Sequence, residues 1–422
     1  MTSSRRLAAC LIAVGFLATL TLGTTGKPWT YHIVRSENFT LNCPTLISQE
    51  AAVRLLEERE HALAFVEEYL GLELRQTILL YIEPVLFSVS ARADADNDGG
   101  GTITYFVPAS ELIAFETQTE SMIQRHMGCH EEVHILANSR AAANQFGPPS
   151  CLGEGLAELI DSQYRGVTHS ASTAEALFAT GLLFSLEDLL TMDDPEVDPQ
   201  VAMKNVYHGG ASLCEFLIDR YGLDAFLDLY GVTWFDFQVT GSTVEETRAD
   251  AKAEFRKALG LSLQEIDAQW RASFERFSAM DDTEQHALRG ALQKSAPHLA
   301  DPILKLENYW IRAPYRLVGP SESVVSLCLD LNAALVGLPS YRGTELRDQL
   351  AACDQLISEL ERMLGHWLEA VHAYEAAVDL GPEAASEALL PPLQRALDGY
   401  TYAGDAHMAD QSQAWIREIE AR

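Results

Sequence analysis

The stretch His130-Glu131-Glu132-Val133-His134, followed by Gly153-Glu154-Gly155-Leu156-Ala157-Glu158, decides how this chain is read. On a helix, positions i and i+4 share one face, a turn apart. Imidazoles at His130 and His134 can therefore grip one Zn²⁺, and Glu131 between them can take a proton from a water held there. Apolar residues at helical spacing surround the pentapeptide (Met122, Ile123, Met127, Val133, Ile135, Leu136), so a helix is predicted from Glu120 to Asn138. Nineteen residues lie between His134 and Glu154, enough for a turn at Gly147-Pro148-Pro149 and an antiparallel return. Glu154 opens the next predicted helix, Gly153 to Tyr164, and is the candidate third ligand. Two His and a Glu with one open position form a catalytic zinc shell, whereas structural sites fill all four positions.

Upstream, Tyr31 to Leu41 alternates and is rich in Val, Ile, Phe and Thr, which predicts a strand. Ser48 to Leu70 has helical spacing, with Ser48 as N-cap. Thr77 to Ile82 reads as a buried strand, Ala91 to Gly101 as a polar loop and Thr102 to Val107 as a third strand. Downstream, helices are predicted over Tyr207 to Tyr221, Leu223 to Tyr230, Ala249 to Leu259 and Ser262 to Phe277. Composition shifts near residues 278–284. The remainder patterns as helices, broken at Pro302, Pro314, Gly319-Pro320, Gly337 to Pro339, Gly381-Pro382 and Pro391-Pro392. His366 to Pro382 loosely resembles half of a tetratricopeptide hairpin, but no period repeats. A helical bundle packed on the first domain is the plainer reading.

Residues 1–26 read as a secretory signal peptide: Arg5 and Arg6, an uncharged apolar run from Leu7 to Leu22, then small residues at Gly23 to Gly26. The expected location is therefore secreted or periplasmic, with no membrane span once the leader is gone. Cys10 falls inside the leader. Of the seven cysteines, Cys43, Cys129, Cys151, Cys214, Cys328 and Cys353 remain, an even set for an oxidising compartment. A Cys129–Cys151 disulfide is one expectation, because each cysteine lies next to or near a ligand. Two buried free thiols are the other. Asn38-Phe39-Thr40 fits a glycosylation sequon. With 30 Lys and Arg against 61 Asp and Glu, the net charge of −31 repels phosphate backbones, which argues against nucleic acid as a partner.

The two quoted motifs, with their spacer, resemble those of the gluzincin metallopeptidases, and more closely those of the secreted peptidase-MA-like group. Tyr31 to Leu41 is similar to that group's opening strand. Tyr207 to Gly222 is similar to the helix after its ligands, and Phe255 to Trp270 to its closing helices. The resemblance covers about residues 30–277 and leaves out the tail. It implies an α+β fold: a zincin-like catalytic domain over 27–280, with a small N-terminal sheet plus helices, then an all-α domain over 281–422. It also implies a zinc metallopeptidase, a hydrolase of peptide bonds with His130, His134 and Glu154 as ligands and Glu131 as general base. Two positions depart from the group. Glu132 stands where an apolar or neutral residue is usual and is expected to face solvent, and Cys151 stands where Trp is frequent.

The neighbours admit two readings each. Glu158, one turn after Glu154, either orients a ligand histidine or is a solvated carboxylate. His126, one turn before His130, shares the histidine stripe and is read as an outer or surface residue rather than a fourth ligand. Tyr207 belongs to the helix that approaches the metal in similar proteins, where its hydroxyl would donate to an oxyanion. His208 is an alternative donor. Asp94, Asp96, Asp98 and Gly99 fit the first half of a calcium loop, but Tyr105 holds the twelfth position where an EF-hand has Glu. A Ca²⁺ loop of another kind and a solvated acidic turn both remain open. The expected partners are a peptide or protein substrate and, at the helical tail, another protein. The alternative function is a catalytically silent zincin-like scaffold that acts through that tail.

Overall fold

The computed structural model describes residues 30–85, 90–96, 99–108, 128–141, 148–191, 199–231, 244–274, 282–294, 343–381 and 384–421, with isolated positions between them. The leader, His126, Asp98, Cys328 and the breaks at Pro302, Pro314 and Gly319-Pro320 lie outside the described residues. Among those described, no helix is long and apolar enough to cross a membrane.

The fold is α+β. Five strands form one sheet: β1 Tyr31–Arg35, β2 Phe39–Pro44, β3 Ile78–Val85, β4 Ser90–Ala95 and β5 Gly101–Pro108. Their order across the sheet is β1-β2-β3-β5-β4. The central pairs β2–β3 and β3–β5 are parallel, and the outer pairs β1–β2 and β4–β5 are antiparallel. Helix α1, Gln49–Leu70, is the crossover between parallel β2 and β3. The Ser48 side chain caps it, accepting from Ala51 N at 3.1 Å, and Gly71 ends it in the left-handed region at φ 62°. Alternation decides which face of the sheet is covered. Phe39, Leu41, Ile78, Leu80, Ile82, Ile103 and Tyr105 are buried, whereas Ile33 and Leu79 on the other face are exposed.

Two strand expectations are corrected. Tyr31 to Leu41 is not one strand but a hairpin, turned between Arg35 and Phe39, where Ser36 N donates to Phe39 O at 3.0 Å. The sequon residue Asn38 sits in this turn, and its side-chain amide donates to Glu60 at 2.8 Å. Half of the predicted loop over Ala91 to Gly101 is strand β4. Its Ala91, Ala93 and Ala95 carry little β propensity, so pairing with β5 rather than local preference makes it a strand.

The helices that follow are α2 His130–Ala141, α3 Ser150–Arg165, α4 His169–Ala179, α5 Leu186–Thr191, α6 Pro199–Lys204, α7 Gly210–Tyr221, α8 Leu223–Tyr230, α9 Val244–Leu259 and α10 Leu263–Ala272. Helix α2 starts at His130, not at Glu120, because Gly128 takes φ 48° immediately before it. Helix α2 packs on α1, β4 and α3.

Past residue 280 the described residues form helices only: α11 Asp282–Lys294, α12 Gly343–Leu380, α13 Ser386–Tyr402 and α14 Ala406–Glu420, apart from single helical positions between α11 and α12. Helix α11 docks on α4, α6 and α12, and Lys204 Nζ donates to Leu292 O at 3.1 Å. Helix α13 packs on both α12 and α14. Pro391 and Pro392, expected to break the chain, lie inside α13. Only two backbone donors are lost near its start, and Pro392 is buried against the neighbouring helices.

Candidate metal centre

The site is built by α2 and α3. Helix α2 presents His130 and His134 on one face, with their ring centroids 4.8 Å apart. Helix α3 brings Glu154 across from them. A single oxygen, Glu154 Oε2, lies 3.1 Å from His130 Nε2 and 3.4 Å from His134 Nε2. The ligand atoms of the three residues lie within 4.8 Å of one another, and this is the one such cluster among the described residues. Three donors of a tetrahedral ion with bonds of about 2.0–2.2 Å are spaced roughly 3.3–3.6 Å apart. The 3.4 Å separation falls in that range and the 3.1 Å one just below it, so the residues fit a small divalent cation after a slight opening.

Without a cation the carboxylate and the imidazoles satisfy one another. Burial works against a charged imidazole. At His130 the hydrogen bond to Glu154 and the charges of Glu131, Glu154 and Glu158 more than offset it, raising the pKa to about 9. Burial likewise works against the Glu154 carboxylate, but hydrogen bonds from both histidines hold it well below the usual carboxylate range.

The second layer comes from α3, α4 and the segment before α7. Glu158, one turn after Glu154, is buried, with Oε2 3.9 Å from His130 Nδ1. Its Oε1 accepts from Ser170 Oγ at 2.5 Å and lies 3.6 Å from His208 Nδ1. It is therefore an inward carboxylate behind His130, not a solvated one. Residues Asn205–Gly209 form a single π turn that runs into α7. This turn aims two consecutive side chains at the site. Tyr207 stacks on His130, centroids 5.9 Å apart, and hydrogen-bonds Glu154, while His208 Nδ1 reaches Ser170 at 3.3 Å. Burial, then the Glu154 charge, raises the Tyr207 pKa, so the phenol keeps its proton. Asn205 anchors the turn, donating to Leu182 O and Val201 O and accepting from Phe184 N. Helices α3 and α7 meet at glycines: a Cβ at Gly155 would collide with the Gly210 backbone, and one at Gly210 with the Cys151 carbonyl.

One expectation is corrected here, and one open alternative is decided. Glu132 does not face solvent. It is fully buried against Arg59 of α1, 3.0 Å away, and burial pushes its pKa up to about 7 with Arg59 offsetting part of the rise. Cys129 and Cys151 are separate buried thiols. Cys129 lies among the charges of Asp161, Glu132 and Arg59, whereas Cys151 is close to Cys214 on α7, so the two cysteines face different neighbours. The acidic segment is only partly among the described residues. Asp94 lies in β4, ion-paired to Arg92 at 2.7 Å, and Asp98 falls outside them.

The sequence reading missed Arg59, Ser170 and the π turn. Arg59 left a signal, since it interrupts the apolar stripe of Leu55, Leu56, Ala62 and Leu63. The Gly209-Gly210 pair hinted at a close backbone approach, but nothing marked Ser170.

Compared with known proteins, the chain matches no family model, no curated protein and no solved structure, so the reading of this centre rests on its own residues.

Proposed function

We propose that this chain is an exported, single-zinc metallopeptidase of gluzincin type with a zincin-like first domain. The observation that carries the reading is the meeting of His130 Nε2 and His134 Nε2 at one oxygen of Glu154, beside Glu131 and Tyr207. Zinc bound there supplies a Lewis acid next to the scissile carbonyl and lowers the pKa of a water. Glu131, in the first turn of α2 with its charge acting on both His130 and Tyr207, takes the proton from the attacking water and returns it to the leaving amine. Tyr207 keeps its proton at neutral pH and donates it in a hydrogen bond as charge develops on the carbonyl oxygen. Glu158 holds His130 from its far side and fixes the ring for ligation.

The test joins metal content to turnover. The purified chain is expected to carry one zinc per molecule and to cleave members of a mixed peptide library. Glu131→Gln keeps the zinc and loses about 10²–10⁴-fold in kcat, because an amide cannot accept the proton. Glu154→Gln loses most of the zinc. Full activity of Glu131→Gln removes that residue from its role. Stoichiometric zinc in the wild type with no cleavage assigns the chain instead to a silent scaffold acting through its tail.

A further inference from the structure

Arg59 sits in mid-α1 on the core face, fully buried. An unpaired guanidinium there would be strongly unfavourable. Glu132, equally buried, meets it through one hydrogen bond, Nη2 donating to Oε2 at 3.0 Å, and an ionic contact in which Nε lies 3.0 Å from Oε1 without a hydrogen bond. The guanidinium makes two further hydrogen bonds. Nη1 donates to the Tyr105 hydroxyl of β5 at 2.7 Å, and Nη2 to the Gly128 carbonyl. One side chain therefore ties α1, β5, the turn before α2, and α2 itself. From the other side, Asp161 Oδ1 of α3 accepts from Cys129 N at 2.6 Å, and a Cβ at Gly128 would overlap the Asp161 carboxylate.

Helical geometry says what this tie can do. At about 100° per residue, Glu132 projects roughly 160° away from both His130 and His134. Hydrogen bonds from one guanidinium to Glu132, Tyr105 and Gly128 fix direction as well as distance. Pinning Glu132 therefore sets the roll of α2 about its own axis, and that roll decides whether both imidazoles face α3. Apolar contacts, being non-directional, would admit several rolls. A buried ion pair adds little net stability over apolar residues of similar volume but can specify register. Taking the metal reading above as given, we infer that the Arg59–Glu132 pair is a positioning device that rolls α2 so that His130 and His134 meet Glu154.

The test measures zinc affinity of the full chain by competition with a chromophoric chelator, and the visible spectrum of Co²⁺ bound in place of zinc. Glu132→Gln keeps the packing and loses the ion pair. It is expected to fold, to bind zinc about 10-fold more weakly or worse, and to weaken the tetrahedral Co²⁺ bands. Leu63→Ala removes a buried side chain elsewhere on α1. It is expected to lower Tm at least as much as Glu132→Gln while keeping zinc affinity within about twofold. The double variant Arg59→Met with Glu132→Met is expected to melt closer to wild type than Arg59→Met alone, yet to bind zinc weakly. Zinc affinity within about twofold of wild type in Glu132→Gln or in the double variant overturns the inference. So does failure of Glu132→Gln to fold, which would make the pair a requirement of the fold. A wild-type chain that binds no zinc overturns the metal reading and this inference together, whereas a zinc-binding wild type with unaffected variants overturns the inference alone.

Discussion

The interior around α2 and α3 and the interior of the α12–α14 bundle are built on different terms. The first buries Arg59, Glu132, Glu158, Asp161, Ser162, Ser170 and Asn205. The second is filled by Trp367, Ala370, Leu389, Leu393, Ala396 and Tyr400, and among the described residues its buried polar groups are Asp405 and Ser412. Burying charge is unfavourable unless each group is paired, and paired groups work only at defined angles. Apolar packing stabilises without demanding a direction. The contrast teaches where orientation matters: the two helices that bring His130, His134 and Glu154 together carry most of the directional contacts, and the tail has few of them.

The largest expected effect breaks the first region at its closest approach. Gly155→Ala puts a methyl into the Gly210 backbone, which cannot turn aside as a side chain would. Helices α3 and α7 must separate, with a destabilisation of about 3 kcal/mol. The π turn that begins this approach carries Tyr207 and His208, so their contacts with Glu154 and Glu158 should lengthen too. Denaturant unfolding and zinc titration of the same variant check both effects. A neutral substitution would mean the helices are not held at this contact.

The counterpart in the tail has a middling effect and no reach. Asp405 caps α14, its Oδ1 accepting from Met408 N at 3.0 Å, while Oδ2 accepts from the buried Trp367 indole at 3.1 Å. Asp405→Ala strands both donors and should cost about 2 kcal/mol. Zinc affinity should stay at the wild-type value, because no ligand comes from the described part of the tail. If zinc weakened along with the bundle, the two interiors would be one cooperative unit and the contrast would fall.

How much of this was legible follows from the same distinction. The clustering of His130, His134 and Glu154 and the α1, α3 and α8 helices were readable because i,i+4 spacing and apolar periodicity are local properties. The hairpin of β1 and β2, the strand β4 and the start of α2 were not. Pairing with β5 and the left-handed Gly128 decide them, and neither is written in local propensity. Glu132 was misread by looking at residue type before position. It lies one turn before Leu136 and three residues before Ile135, both buried, so its own periodicity pointed inward. The unformed Cys129–Cys151 bridge follows from the limit stated by helical geometry itself: a residue next to a ligand faces elsewhere.

The smallest expected effect probes the outer edge of the directional region. Ser170 touches no ligand. Its hydroxyl donates to Glu158 Oε1 at 2.5 Å and contacts Ser162 Oγ at 3.0 Å, while the other Glu158 oxygen is the one nearest His130. Ser170→Ala removes one donor from Glu158 and leaves His208 beside the same oxygen. The carboxylate can then swing toward His208 and away from His130, which loosens the hold on the ligand ring. Zinc affinity should fall by about threefold, less than the 10–100-fold typical when the carboxylate itself is lost. Glu158→Ala, titrated alongside, should show that larger loss. Equal losses in the two variants would mean that Glu158 depends wholly on Ser170 for its position. No loss in either would mean that the ring of His130 is held by Tyr207 stacking and the fixed roll of α2 alone.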